Sequence, residues 1–271
     1  MKLQFTNGYR PRFDQMSRIL QYLLLQEGRK KVTRQEIVAA LGIPDKQIEN
    51  LTSMMTGFGL VQTRVSLLPP LGKAIIRGDP YFEKNETLWI IHYIVSSNPE
   101  WVVWHRIVNT VIPTLDHISV EYVSRNYFSD LAPQFSERSI AEKLPKEVGA
   151  VLAGYARSEL ARLHILQEDE VKGHFIHGNP IEIPGLAFLY CLLSFRDRFS
   201  PGASAMNVSD VCLAEDSPGR VFNIPEYQVR AILGELHSSG SIRMEQLADL
   251  DQVRLPDTIT QASVLSLIYG V

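Results

Sequence analysis

The stretch LGKAIIRGDPYFEKNETLWIIHYIVSSNPEWVVWHRIVN, residues 71–109, decides the fold of this chain, and it holds all three of the chain's tryptophans. Aromatic side chains remove large apolar areas from water, so they dominate the energetics of the core that they join. Thr87 to Ser96 is nearly all apolar, Asn98-Pro99 interrupts the run, and apolar residues then recur at helical spacing from Glu100 to Ile112. This stretch, which we call the aromatic hub, therefore predicts two buried helices.

Length and composition indicate an ordinary globular protein. The chain has 271 residues, 45% of them hydrophobic and 21% charged, which is enough for a well-buried core and two or three domains. Cys191 and Cys212 are too few for a disulfide framework or a four-ligand zinc site. The first residues lack the apolar core of a secretory signal, and no apolar run approaches the roughly 20 residues of a membrane span. We expect a cytoplasmic protein without membrane contact.

The charges are unevenly distributed along the chain. Residues 1–78 carry 12 Lys and Arg against 5 Asp and Glu, whereas the remaining residues carry 15 against 25. A basic segment joined to an acidic one is typical of a polyanion-binding module attached to something else, although a small domain can also be basic by chance.

The basic segment has the element order of a helix-turn-helix. Asp14 can cap a first helix, and Thr33 with Glu36 forms a capping box that opens a short second helix ending at Gly42. Pro44-Asp45 then begins a third helix, whose buried face is predicted by the spacing of Ile48, Leu51, Met55 and Phe58. The opposite face should carry Lys46, Asn50, Ser53 and Gly57. Leu60 to Thr63 and Val65 to Leu68 can form the two strands of a wing, which makes residues 1–78 a winged helix-turn-helix domain.

On this interpretation the third helix reads DNA. Its candidate contacts to base edges or phosphates are Lys46, Gln47, Asn50 and Ser53, and the candidate contacts to the phosphate backbone are Arg34, Lys30, Lys31 and Arg64. Asn and Gln can pair bidentately with adenine, whereas Lys and Arg supply salt-dependent affinity. Winged helices also dock proteins, and Glu49 in the middle of the exposed face is unfavourable near phosphate, so protein docking remains an alternative.

The acidic remainder predicts more of the same architecture. Ile118 to Phe128 reads as a helix, and Ile165 to Glu168 with Glu170 to His177 reads as a hairpin, so a further winged-helix-like unit follows. The predicted fold class is mainly α with small β-hairpins, an α+β fold. We divide the chain into residues 1–78, an aromatic helical domain at 79–200 and a C-terminal α+β region at 201–271.

No catalytic pattern stands out in the sequence. Gly72-Lys73 lacks the upstream glycine and the following Ser or Thr of a phosphate-binding loop. His174 and His177 would point to opposite faces of a strand, and His92 and His105 lie in the hub, where a hydrogen-bonded core histidine is the commoner role. We therefore predict no metal, no cofactor and no enzymatic activity, although catalytic residues can assemble from distant positions.

Several of these blocks resemble a known family. The run PLGKAIIRGDPYFEKNETLWIIHYIVSSNPEWVVWHRIVN, with the later SPGRVFNIPE and ADLDQVRL, is similar to the pattern of bacterial domain-of-unknown-function family 4007, with Pro69 where the family usually has Thr. Members tend to lie in gene neighbourhoods for DNA phosphorothioation and phage defence. The resemblance implies a DNA-linked defence role with other defence-system proteins as partners, and it supplies no catalytic residues.

Our first hypothesis is a non-enzymatic DNA-binding component of a bacterial DNA-modification or phage-defence system, which contacts DNA through the N-terminal winged helix. The alternative is a protein-docking adaptor that holds other defence-system subunits without contacting DNA. An enzyme such as a nuclease ranks last.

Overall fold

The N-terminal unit consists of four helices. In the computed structural model, which describes residues 1–62, 67–247 and 250–271, these are α1 (Phe13–Leu25), α2 (Arg34–Leu41), α3 (Asp45–Gly57) and α4 (Pro70–Gly78). The Gln62 N–H donates to the Leu67 carbonyl at 2.8 Å, which closes the connection between α3 and α4. Of the predicted wing strands, residues 63, 65 and 66 lie outside the described residues, whereas residues 60–62 and 67–68 are described and are not in a strand. The winged-helix interpretation of this unit therefore stays a prediction.

The aromatic hub contains the two buried helices that its sequence predicts. They are α5 (Asn85–Ser96) and α6 (Val102–Arg106), and α6 continues through a π-helical turn (Ile107–Val111) into α7 (Ile112–Thr114). Trp89, Trp101 and Trp104 are all buried. The α5 helix is buried around most of its circumference because its sequence is apolar on all sides. The hub therefore forms the centre on which the other units pack.

The middle unit combines helices with a small sheet. Its elements are β1 (His117–Ser119), α8 (Val120–Asn126), α9 (Leu144–Arg157), β2 (Leu166–Glu168) and β3 (His174–His177). Both β1 and β2 pair antiparallel with the central β3. The predicted hairpin is present, but the predicted helix from Ile118 was wrong at its start, because Ile118 pairs with Phe175 in the sheet and the helix begins only at Val120.

The C-terminal unit repeats this order of elements. It contains α10 (Gly185–Phe199), β4 (Ala205–Asn207), α11 (Val208–Leu213), α12 (Pro218–Val221), α13 (Glu226–Ser238), β5 (Arg243–Leu247), β6 (Leu250–Arg254) and α14 (Gln261–Tyr269). Its sheet has the order β4-β6-β5, so the last strand is again central. The last helix returns to the N-terminal unit, where Tyr269 covers Gly78 so closely that a Cβ there would lie 2.5 Å from the tyrosine Cβ.

The described part of the chain shares one continuous hydrophobic core, from Leu3 to Tyr269. The predicted fold class is confirmed, since the chain is mostly helical with small antiparallel three-stranded sheets. The divisions at residues 78/79 and 200/201 stay predictions.

Candidate nucleic-acid interface

Local interactions that the sequence predicts fix both ends of α2. The Glu36 N–H donates to Thr33 Oγ1 at 3.3 Å, and the Thr33 N–H donates to the Glu36 carboxylate at 2.7 Å, which confirms the capping box. Hydrogen bonds from the Thr33 side chain and backbone, with Arg29 beside them, lower the pKa of Glu36 to about 2. Gly42 ends α2 in the left-handed conformation, at φ 65°. The start of α3 is thereby set relative to α2.

One side of α3 is covered by residues 3–8, which we call the N-terminal strap. The Phe5 ring packs against Trp101, with ring centroids 4.6 Å apart, and meets the edges of Phe58 and Trp104. The Asn7 amide donates to Asn50 Oδ1 on α3 at 2.9 Å. The strap is therefore part of the core, although it precedes the first helix.

A buried carboxylate on α9 holds the other side of the strap. Glu147 accepts hydrogen bonds from the backbone N–H groups of Phe5 and Thr6 at 2.7 and 2.5 Å, and from that of Gly8 at 3.3 Å. Burial raises the pKa of Glu147, and the three backbone donors act in the opposite direction. Three donors on one buried carboxylate fix the strap between α3 and α9.

The prediction that this face of α3 is open to solvent was wrong at two positions. Asn50 and Gly57 were expected to face solvent, but Asn50 is only 4% exposed and Gly57 lies under the Phe5 ring. Periodicity identified the large apolar positions of α3 correctly. Periodicity could not show that a small residue on the opposite side of α3 is also buried. The segment that covers it lies about 50 residues away along the chain.

Two grooves flank α3. The first, which we call the α2–α3 groove, has a volume of about 510 Å³, and its wall includes Lys2, Lys31, Arg34, Ser53 and Trp101. The second, the strap groove, has a volume of about 470 Å³ and is lined by Tyr9, Arg10, Arg12, Pro44, Lys46, Gln47, Asn50, Leu51 and Met54. The structure thus divides the predicted site between the two sides of α3.

Two of the predicted cations are held by acids on α3. Arg34 lies 2.8 Å from Asp45 and 3.4 Å from Glu49, and Lys46 lies 2.9 Å from Glu49. All of these side chains are at least 41% exposed, so each pair adds little stability and is weakened by salt. Glu49 therefore holds Arg34 and Lys46 beside α3. Because these ion pairs are weak, a phosphate group can replace the Glu49 carboxylate as their partner.

The remaining predicted residues have varied surroundings. Gln47 donates to Gln15 Oε1 at 2.5 Å and is half-buried. Lys30 and Lys31 are exposed, and neither forms an ion pair within the described residues. Arg64 lies outside the described residues.

The side chains of these grooves that sequence reasoning missed include Lys2, Tyr9, Arg10 and Arg12. Lys2 lies 4.4 Å from the Trp101 ring centroid, within cation–π range. The run YRPR at residues 9–12, an aromatic residue among arginines directly before α1, was the available signal for the other three.

Burial shifts the pKa of titratable groups elsewhere in the core. His92 contacts the Tyr155 hydroxyl at 2.7 Å, and burial lowers the pKa of His92 to about 4. Burial also raises the pKa of the Cys191 thiol, which disfavours the reactive thiolate. Over residues 1–62, 67–247 and 250–271, no group of three or more His, Cys, Asp or Glu side chains is arranged to hold a metal ion. In those same ranges no helix has both the length and the apolar character to cross a membrane.

The comparison with protein families covers nearly the whole chain. The model of the family described as Protein of unknown function (DUF4007) matches residues 22–269. The chain belongs to this family. The predicted family is thus confirmed, while its association with DNA phosphorothioation and phage defence stays a prediction. No curated protein matches the chain.

Two solved structures share the fold of this DUF4007 member. They are crystal structures of SspB, one of them magnesium ion-bound, with TM-scores of 0.78 for the magnesium-bound form and 0.77 for the other. Each match covers 98% of this chain and 87% of the SspB chain at 14% sequence identity. At that identity the likeness establishes the fold alone.

Proposed function

We propose that this DUF4007 protein is a non-enzymatic DNA-binding component of a bacterial DNA-modification or phage-defence system, which contacts DNA through its N-terminal unit. The observation that carries the proposal is the pair of cationic grooves along α3. Lys2, Lys31 and Arg34 line one groove together with Glu49, and Arg10, Arg12 and Lys46 line the other. These cations lie far apart along the chain, so they come together in the two grooves only in the folded protein.

The charge balance supports a polyanionic partner for this surface. Most of the affinity of a protein for duplex DNA comes from cations that neutralise phosphates and release counterions. Residues 1–78 carry 12 Lys and Arg against 5 Asp and Glu, and the acidic residues of the rest of the chain would repel DNA from its other faces. A duplex would therefore approach the N-terminal unit in one orientation. The family membership and the fold shared with SspB are consistent with a place in such a system.

A salt-dependent titration tests the proposal. We would measure binding of a duplex at about 50 and 200 mM salt for wild type and for Lys30→Glu/Lys31→Glu, since each phosphate contact contributes a log–log slope of about −0.9. The double variant should bind more weakly, with a slope that is shallower by roughly 1.8. The control, Lys143→Glu/Lys172→Glu, makes the same charge change at two exposed lysines of the middle unit and should retain the wild-type slope. If both variants lose the same affinity for the duplex, the effect comes from net charge and the N-terminal site is refuted. If wild type does not bind the duplex at low salt, DNA binding is refuted.

The adaptor function is favoured by one observation in the acidic part. A groove of about 480 Å³ lies between residues 179–183 and α13, with apolar walls that include Ile181, Ile183 and Ile232. Its lining contains Glu182 and Glu235 and no lysine or arginine. An apolar segment carrying basic residues would fit this groove. Complex formation with partner subunits that is lost in Ile232→Asp, without loss of DNA binding, would assign docking to this groove.

A further inference from the structure

The strap groove has the dimensions and lining of a small-molecule site. Its volume of about 470 Å³ falls within the roughly 300–1,000 Å³ of such sites. Leu51 and Met54, both buried, form its apolar floor, and Tyr9, which is 62% exposed, lies at its wall. An apolar floor beside an accessible aromatic ring suits a flat, aromatic ligand.

Two amides of α3 supply polar groups one helical turn apart. Asn50 Oδ1 accepts from Asn7, which orients the amide, and Asn50 Nδ2 donates to no group within the described residues. Gln47 uses its Nε2 to donate to Gln15, which leaves Gln47 Oε1 as an acceptor. An amide donor and an amide acceptor in one groove complement the N7 acceptor and N6–H donor of adenine. The strap thus holds the Asn50 side chain in the lining of the groove, where its amide can still contact a ligand.

Cations surround this apolar floor. Arg10, Arg12 and Lys46 line the groove, and none of its nine lining residues is acidic. Arg12 is paired with Asp14 at 3.0 Å and Lys46 with Glu49 at 2.9 Å, both on the surface. Exposed pairs of this kind exchange for phosphate at little cost. The rim can therefore hold the phosphates on either side of a bound base.

We propose that the strap groove binds an unpaired adenine base of a DNA strand, with Tyr9 stacked on the base, Asn50 and Gln47 on its edge, and the arginines and Lys46 on the flanking phosphates. This assignment rests on the proposed DNA-binding function. The base must be unpaired, because a base inside a duplex offers no free face to an aromatic side chain. The same groove chemistry would accept a free adenine nucleotide, so the test includes one.

A comparison of four ligands tests the assignment. We would titrate the whole chain of 271 residues with a fully paired duplex, the same duplex with one bulged adenine, the same duplex with one bulged thymine, and AMP. The bulged duplex should bind about 10-fold more tightly than the paired one, which is the effect of one stacked base. Tyr9→Ala should remove this preference, whereas Tyr9→Phe should keep it. Tyr81→Ala, at a similarly exposed tyrosine outside the groove, serves as the control and should leave the preference intact.

The outcomes separate this inference from the function on which it rests. If both duplexes bind equally, the base site is refuted while DNA binding stands. If neither duplex binds, both proposals fail. A bulged thymine that binds as tightly as a bulged adenine would refute the roles of Asn50 and Gln47, and AMP that binds more tightly than the bulged duplex would refute DNA as the source of the base.

Discussion

Replacing Gly57 by alanine should destabilise the protein, although alanine is the better helix former. A Cβ at position 57 would lie 2.3 Å from Phe5 Cε2, 2.6 Å from Phe5 Cζ and 3.1 Å from Trp101 Cε2. The Phe5 ring cannot withdraw easily, since it packs against Trp101 at 4.6 Å between ring centroids and its backbone N–H is held by Glu147.

Two opposing effects set the expected size of the change. Glycine to alanine within a helix contributes up to about 1 kcal/mol of stability, and less at position 57, the last residue of α3. Overpacking a rigid core site costs about 1–3 kcal/mol. The steric cost exceeds the gain, so the free energy of unfolding should fall by about 1–2 kcal/mol.

Urea denaturation measures this change, with the shift in midpoint taken at constant m-value. Gly234→Ala is the matched control, because Gly234 also lies in a helix of 13 residues and nothing lies within 4 Å of a Cβ there. That variant should be as stable as wild type or more stable. Combining Gly57→Ala with Phe5→Leu should cost less than the sum of the two single changes, because the neighbours share one contact. If Gly57→Ala proves as stable as Gly234→Ala, the strap does not pack on α3 as described.

Three further predictions concern local structure, pH and chemistry. Thr33→Ala should lower the free energy of unfolding by about 1 kcal/mol and raise the pKa of Glu36, because the helix cap is lost. NMR titration of Glu36 measures this pKa. An unchanged pKa would show that the capping box is unimportant. His92 has a folded-state pKa of about 4 against an ordinary 6.5, so between these values the unfolded chain binds the additional proton. Stability should fall as the pH falls through this window, and His92→Gln should show a smaller fall in urea denaturation; equal slopes would contradict the burial of a neutral imidazole. Supercoiled plasmid incubated with the protein and Mg²⁺ should stay supercoiled, and reproducible nicking would refute the prediction that the protein is not an enzyme.

The sequence by itself determined several local elements of the N-terminal unit. The capping box at Thr33, the left-handed Gly42 and the apolar stripe of α3 depend on residues within a few positions of one another. The two hub helices were equally predictable from the sequence, because a nearly continuous apolar run interrupted by Asn98-Pro99 has few other ways to fold. The small sheets were only partly predicted. Strand β1 has three residues, too few for a periodic pattern, and its strand conformation depends on pairing with β3, over 50 residues later.

Only the tertiary structure decided which surface of α3 is available. Glu147 holds the strap from more than 130 residues along the chain, and neither its role nor the burial of Asn50 follows from local periodicity. The strap groove likewise combines Tyr9 and the arginines with α3, so it exists only once the strap has packed. Helical spacing predicts which side of a helix packs against its own unit, because the apolar residues lie on that side. What covers the other face depends on contacts between distant segments, and those are settled by the packing of the whole chain.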